Sequence, residues 1–142
     1  MRQQAWAMLA LGLVVAAPAA VEAQQNTGTD PVQLGPNYPN PFNPETTIPF
    51  TLGPSLWENG AQPVVSLRIY NVLAQLVATP ILQGGSGEPL ENLRVSWNGT
   101  GEYRAYWDGR VLETGREAPS GVYIYQLTVN GKAITKKMTI VK

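Results

Sequence analysis

From Thr46 onward the apolar residues of this chain recur at every second position, and no stretch carries the i, i+3, i+4 stripe of an amphipathic helix. Ile48, Phe50 and Leu52 alternate with Thr47, Pro49 and Thr51 and predict a strand over Thr46–Leu52. Pro49 has no N–H for a ladder, so this strand should lie at a sheet edge or carry a break. Val65, Leu67 and Ile69 predict a second strand over Val64–Tyr70, and Leu76–Thr79 returns after the tight connection "NVLAQ". Leu93–Trp97 and Tyr103–Trp107 alternate again, ending in Asn98-Gly99 and Asp108-Gly109. Such dipeptides suit type I′ turns, whose two central residues need positive φ. Gly121–Val129 is apolar on both faces at its start, as a central buried strand would be. Asn130-Gly131 then closes a hairpin onto Lys132–Val141.

About seven short strands, turn signals between them and no helix in the mature chain predict an all-β fold. The expected form is an antiparallel β-sandwich of immunoglobulin-like architecture. Trp97, Trp107, Tyr123 and Tyr125 are its expected large core pieces, in preference to a sugar-stacking platform. The last strand breaks its own pattern: Ile134, Met138 and Ile140 share a face with Lys136. Either the Lys136 ammonium reaches out to water, or a bulge at Lys136-Lys137 shifts the register. A lysine so placed also discourages sheets from adding to one another.

Between the loops, Gly53–Pro63 carries an Asn59-Gly60 turn signal, and Gly/Ser-rich Gln83–Glu91 is expected to be a mobile surface loop. Ahead of the strands stands "NYPNPFNPETTIPF", Asn37 to Phe50. Each X-Pro pair pushes its preceding residue toward extended conformation, and asparagines satisfy nearby backbone groups as Asx-turns. The segment is stiff before anything docks it. It is expected to be an ordered strap of Tyr38, Asn40, Pro41, Phe42, Asn43 and Pro44, anchored by Tyr38 and Phe42 and handing over to a strand at Thr46.

The N-terminus reads differently. Met1-Arg2, the apolar run Ala5–Ala17 and the small-x-small "VEA" form the pattern of a secretory signal peptide over residues 1–23. The run is well short of the roughly 20 residues of a spanning helix, and no transmembrane segment is expected in the mature chain. Residues 24–33 read as a flexible lead-in and 34–142 as the domain.

Composition narrows the chemistry. The chain has no Cys and no His, which removes disulfides, His-based acid–base catalysis and Cys or His metal sites. Ten basic and ten acidic residues balance to a net charge of zero, so no global field attracts nucleic acid. Lysines nevertheless crowd the C-terminal end, at positions 132, 136, 137 and 142. Asp108 is a turn residue on conformational grounds, and with Gly109 is assigned to the turn. Ser120 has no base partner. Asn98-Gly99-Thr100 matches a glycosylation sequon but is explained equally as a turn. No catalytic residue, metal site or cofactor is assigned, and the expectation is an exported protein that is not an enzyme.

Four ordered words carry a resemblance: "NYPNPFNPETTIPFTL", "VSLRIYNVLAQLV", "WDGR" and "SGVYIYQLTVNGKAITKKMTIVK". Together, across about Leu34–Lys142, they resemble the C-terminal sorting domain of type IX secretion substrates (the Por secretion tail). They are also similar to the immunoglobulin-like domain of the flagellar hook-capping protein. The Asn/Pro opening and the Lys-Met ending favour the sorting domain. The resemblance implies export across the inner membrane, a periplasmic intermediate, and passage through an outer-membrane translocon with its sorting machinery. It implies a cell-surface or extracellular destination, in many members by attachment to a surface lipopolysaccharide. Carried over by position, the sorting and recognition residues are Gly121, Val122, Tyr123, Lys136, Lys137 and Met138. Such domains usually follow a passenger, and the residues ahead of this one are expected to be a leader and a lead-in. Ala74 stands where the family often has Gly, at a cost of about 1 kcal/mol if the position needs positive φ. The alternative is a structural or adhesive extracellular β-sandwich module resembling the hook-cap domain.

Overall fold

The computed structural model describes residues 30–142, and the expected signal peptide and residues 24–29 of the lead-in lie outside them. Nine strands follow in order: β1 Val32–Leu34, β2 Thr46–Leu52, β3 Val64–Tyr70, β4 Leu76–Ala78 and β5 Ile81–Leu82 come first. Then come β6 Leu93–Arg94, β7 Glu102–Trp107, β8 Gly121–Val129 and β9 Lys132–Ile140. All pair antiparallel. One sheet has the order β1-β2-β7-β5. The other has the order β4-β3-β8-β9, with β6 also on β3. The molecule is therefore the expected all-β sandwich of two antiparallel sheets.

Alternation dictates what lies between the sheets. In β2, Thr46, Ile48, Phe50 and Leu52 face inward and are buried, while Thr47, Pro49 and Thr51 are half-exposed. Each fully buried large apolar side chain of this kind contributes about 1.5–3 kcal/mol. Val65, Leu67 and Ile69 of β3 and Tyr123, Tyr125, Leu127 and Val129 of β8 supply the facing layer.

β2 is not an edge strand: it lies between β1 and β7. The break expected at Pro49 is present, since the β1 ladder stops at the Leu34–Phe50 pair. Gly35 still donates its N–H to the Pro49 carbonyl at 2.9 Å. Pro49 has no N–H to return, and the Gly35 carbonyl accepts the Tyr125 hydroxyl at 2.9 Å instead.

Several local expectations change. Val32 and Gln33, read as lead-in, belong to β1. A short 3-10 segment starts at Pro54 within the expected loop and is broken at Glu58 and Asn59, where Asn59 and Gly60 keep the expected turn with positive φ at both, 59° and 79°. It places Trp57 so that its indole N–H donates to the Val95 carbonyl at 2.9 Å. The 83–91 loop is tied at its end. Leu90 is fully buried, donates its N–H to the Pro80 carbonyl and accepts the Leu67 N–H. Trp97 is not a core residue, being 41% exposed. β6 stops at Arg94, and the indole instead meets Trp57 edge-on, with ring centroids 5.0 Å apart. Trp107, Tyr123 and Tyr125 are core residues as expected. β8 is central but buried on one face only: Val122 is 44% exposed on the other.

The turns divide. Asn130-Gly131 has positive φ at both residues, 51° and 87°, as a type I′ hairpin requires. Asp108-Gly109 and Asn98-Gly99 do not, because only their glycines have positive φ. Their side chains take over as caps. Asp108 Oδ1 accepts the Arg110 N–H at 3.0 Å, and Asn98 Oδ1 accepts the N–H groups of Thr100 and Gly101.

Candidate functional site

The strap pairs with both sheets, Tyr38 with Thr47 of β2 and Phe42 with Ile140 of β9. At its start, Asn37 is buried, and its N–H donates to the Tyr125 hydroxyl at 3.1 Å. That hydroxyl, reaching across the core from β8, thus holds both Gly35 and Asn37. Asn37 Nδ2 donates to Thr46 Oγ1 at 3.1 Å, closing the loop of chain onto β2. Tyr38 bridges Thr47, exchanging both backbone hydrogen bonds at 2.9 Å. The side chain of Tyr38 is 47% exposed, so it is not the expected anchor.

Phe42 is the anchor. It is 2% exposed and meets Trp107 edge-on at 5.5 Å between ring centroids, and Trp107 in turn meets Tyr123 at 5.9 Å. Such edge-to-face pairs add about 0.5–1.5 kcal/mol beyond their buried area. The main chain of Phe42 lies parallel to the end of β9. Its N–H donates to the Thr139 carbonyl at 3.0 Å, and its carbonyl accepts the Val141 N–H at 3.1 Å. Asn40 Oδ1 accepts the Thr139 N–H at 3.2 Å. Asn40, Pro41, Asn43 and Pro44 are otherwise exposed. Pro44 presses its carbonyl against Gly109, where a Cβ would overlap it. With φ at 83°, Gly109 is required there on both counts.

The sorting-type residues fall on one hairpin. Gly121, Val122 and Tyr123 pair with Ile140, Thr139 and Met138, and Ile124 and Tyr125 pair with Lys137 and Lys136. Met138 and Tyr123 are buried, Lys136 and Lys137 exposed. The register of β9 on β8 is continuous from Lys132 to Ile140, without a bulge at Lys136-Lys137. Lys136 therefore lies on the core-facing side of an edge strand and extends to water past it, the first of the two expected solutions. The chain end is held by Ser120 Oγ, which accepts the Lys142 N–H at 3.1 Å, and by a 2.7 Å ion pair between Lys142 and Glu117. That pair holds the Glu117 carboxyl below its ordinary range, first through the hydrogen bond and then through charge.

Four sequence-distant pieces thus meet at one end of the sandwich: the strap, the Asp108-Gly109 turn, the Gly121–Tyr123 segment and the last strand. Sequence reasoning missed Gly35, Asn37, Tyr125, Ser120 and Thr139 as the residues that tie them. Only the missing N–H of Pro49 pointed that way, since it required an outside partner for its neighbour across the ladder.

Beside this end lies a cleft of about 310 Å³, lined by Ala78, Ile81, Tyr106, Trp107 and Arg110 among others. The Asp108 carboxylate at its rim is occupied by the Arg110 N–H, and the Arg110 guanidinium donates to the Gly115 carbonyl at 2.9 Å. Among the described residues no group of three or more acids is placed to hold a metal ion. No described helix is long and apolar enough to cross a membrane.

No family model matches the chain, and no curated protein matches it. Among solved structures it is similar to PorZ of Porphyromonas gingivalis, described as an essential bacterial surface component of the type-IX secretion system. The similarity has 19% identity and a TM-score of 0.42, and covers 80% of this chain and 12% of that one.

Proposed function

We propose that the chain is a non-enzymatic exported domain that acts as a sorting signal for outer-membrane translocation and surface attachment by a type IX system. One observation carries the reading. Three of the four words that resemble the sorting domain, the strap, "WDGR" and the last hairpin, are far apart in sequence, yet they pack on one another through Phe42, Trp107, Gly109, Tyr123 and Thr139. These contacts form only in the folded domain, so the exposed residues beside them, Val122, Lys136 and Lys137, are brought together only there. Its partners would be the outer-membrane translocon and its sorting machinery, with surface lipopolysaccharide as the attachment point.

The test fuses residues 31–142, with a signal peptide and a reporter ahead of them, in a bacterium that has the translocon. The reporter should reach the surface or the medium. A reporter retained in the periplasm, like one lacking the domain, overturns the proposal.

A second reading, a structural or adhesive extracellular module, is favoured by one observation. Val72, Leu73 and Leu76 are 68%, 74% and 49% exposed around a single turn. It predicts self-association of the purified protein, abolished by Leu73→Ser.

A further inference from the structure

β9 is the outer strand of its sheet: the strap pairs with one end of it, and β1 of the other sheet lies near it without pairing. The Thr139 N–H and carbonyl point away from β8 and are taken by Asn40 and Phe42. Along a strand these directions repeat every two residues. The N–H and carbonyl groups of Lys137, Thr135 and Ala133 therefore point the same way, off the sheet and beyond the end of the strap. The other outer strands offer far less: β1 and β4 have three residues each and β5 two, against nine for β9.

The charge along this edge is specific. Lys136 projects from the inner side of β9 and Lys137 from the outer, and both are exposed. Their cross-strand neighbours are Tyr125 and Ile124, so β8 offers neither lysine a carboxylate. Against another β9 such an edge places lysine opposite lysine, which opposes pairing of two copies. Against an extended segment with two adjacent carboxylates, whose side chains leave a strand on opposite sides, both lysines gain a partner.

We propose that the open edge of β9 binds an extended acidic segment of another protein by strand addition. The backbone groups of Ala133, Thr135 and Lys137 form the ladder, and Lys136 and Lys137 select adjacent acidic residues. Main-chain hydrogen bonds supply the affinity and the lysines the specificity. The strap sets the limit of the groove, because Phe42 already occupies the edge at Thr139 to Val141. This deepens the sorting reading and rests on it only in assigning the segment to the export machinery.

The probe is an acetylated octapeptide of alternating threonine and valine with two adjacent glutamates at its centre, titrated into the purified protein. Backbone amide shifts and hydrogen exchange are followed by NMR. The expected result is saturable binding with protection of the Ala133, Thr135 and Lys137 amides. Replacing both glutamates by glutamine should weaken it at least tenfold. N-methylating alternate peptide residues should abolish it in one of the two phases, with all charges kept. The double variant Lys136→Glu and Lys137→Glu should lose the acidic peptide and gain the one with two lysines. Equal binding of the glutamine peptide, indifference to N-methylation in both phases, or no binding overturns the proposal. So does protection of the same amides by self-association without peptide, or by a soluble anionic polysaccharide alone. The assay contains no translocon, so peptide binding with a periplasmic reporter separates failure of the sorting reading from failure of the edge.

Discussion

The Tyr125 hydroxyl accepts from Asn37 and donates to Gly35, and its ring is fully buried between the sheets. Tyr125→Phe keeps the ring and removes the hydroxyl that the Gly35 carbonyl accepts in place of a Pro49 N–H. The buried Asn37 N–H would then be stranded, and the half-buried Gly35 carbonyl would lose its partner. The expected cost is about 1–3 kcal/mol, measured as a lower midpoint in urea unfolding. Ala74 shows the opposite situation. It sits at φ 64° in the turn between β3 and β4, where Asn71 Oδ1 accepts the N–H groups of Leu73 and Gln75. An L-residue with a Cβ is strained there, and glycine is not. Ala74→Gly should raise stability by about 1 kcal/mol, and an unchanged or lower unfolding midpoint would contradict the strain.

At the scale of the element, the strap turns proline-rich sequence into a clip between sheets. Its energy is concentrated in one side chain. Phe42→Ala removes a ring that is 2% exposed and packed on Trp107, and should cost about 3–5 kcal/mol. Tyr38→Ala, on a half-exposed ring, should stay within about 0.5 kcal/mol. Equal losses at the two positions would mean that the strap is held by something other than Phe42. The strap, the long strands β2, β3 and β8 and the Asn130-Gly131 hairpin were legible because each carries a local rule over several residues. β1 and β5 were not, since two or three residues are too few to show a period. Trp97 was misplaced because the alternation of Leu93 and Val95 continues in the sequence past the point where the strand ends. The site was legible in its parts, as words, but not in its assembly. Phe42 meets Thr139 and Tyr125 meets Gly35 only through pairings about ninety to a hundred residues apart, which no local pattern encodes.

For the whole molecule, the tyrosines that fill the sandwich make its stability sensitive to alkali. Burial raises Tyr103, Tyr123 and Tyr125 above the ordinary tyrosine value, against smaller opposing hydrogen bonds from Asn98 to Tyr103 and Asn37 to Tyr125. Because the folded values are raised, the unfolded chain gives up these protons first as pH rises. Their contribution is complete below the unfolded value of about 10 and is lost as pH climbs through the raised folded values. The Glu117–Lys142 pair acts with the opposite sign: its contribution stands above the unfolded carboxylate value and fades as pH falls. At the surface it counts for little. The midpoint of urea unfolding should therefore change little through neutral pH and fall steeply above about pH 10. The Tyr125→Phe protein, already less stable, should show a shallower fall, because one of the protons held by the folded state is gone. A wild-type midpoint that is flat through pH 11, or a variant curve parallel to it, would remove the buried tyrosines as the cause.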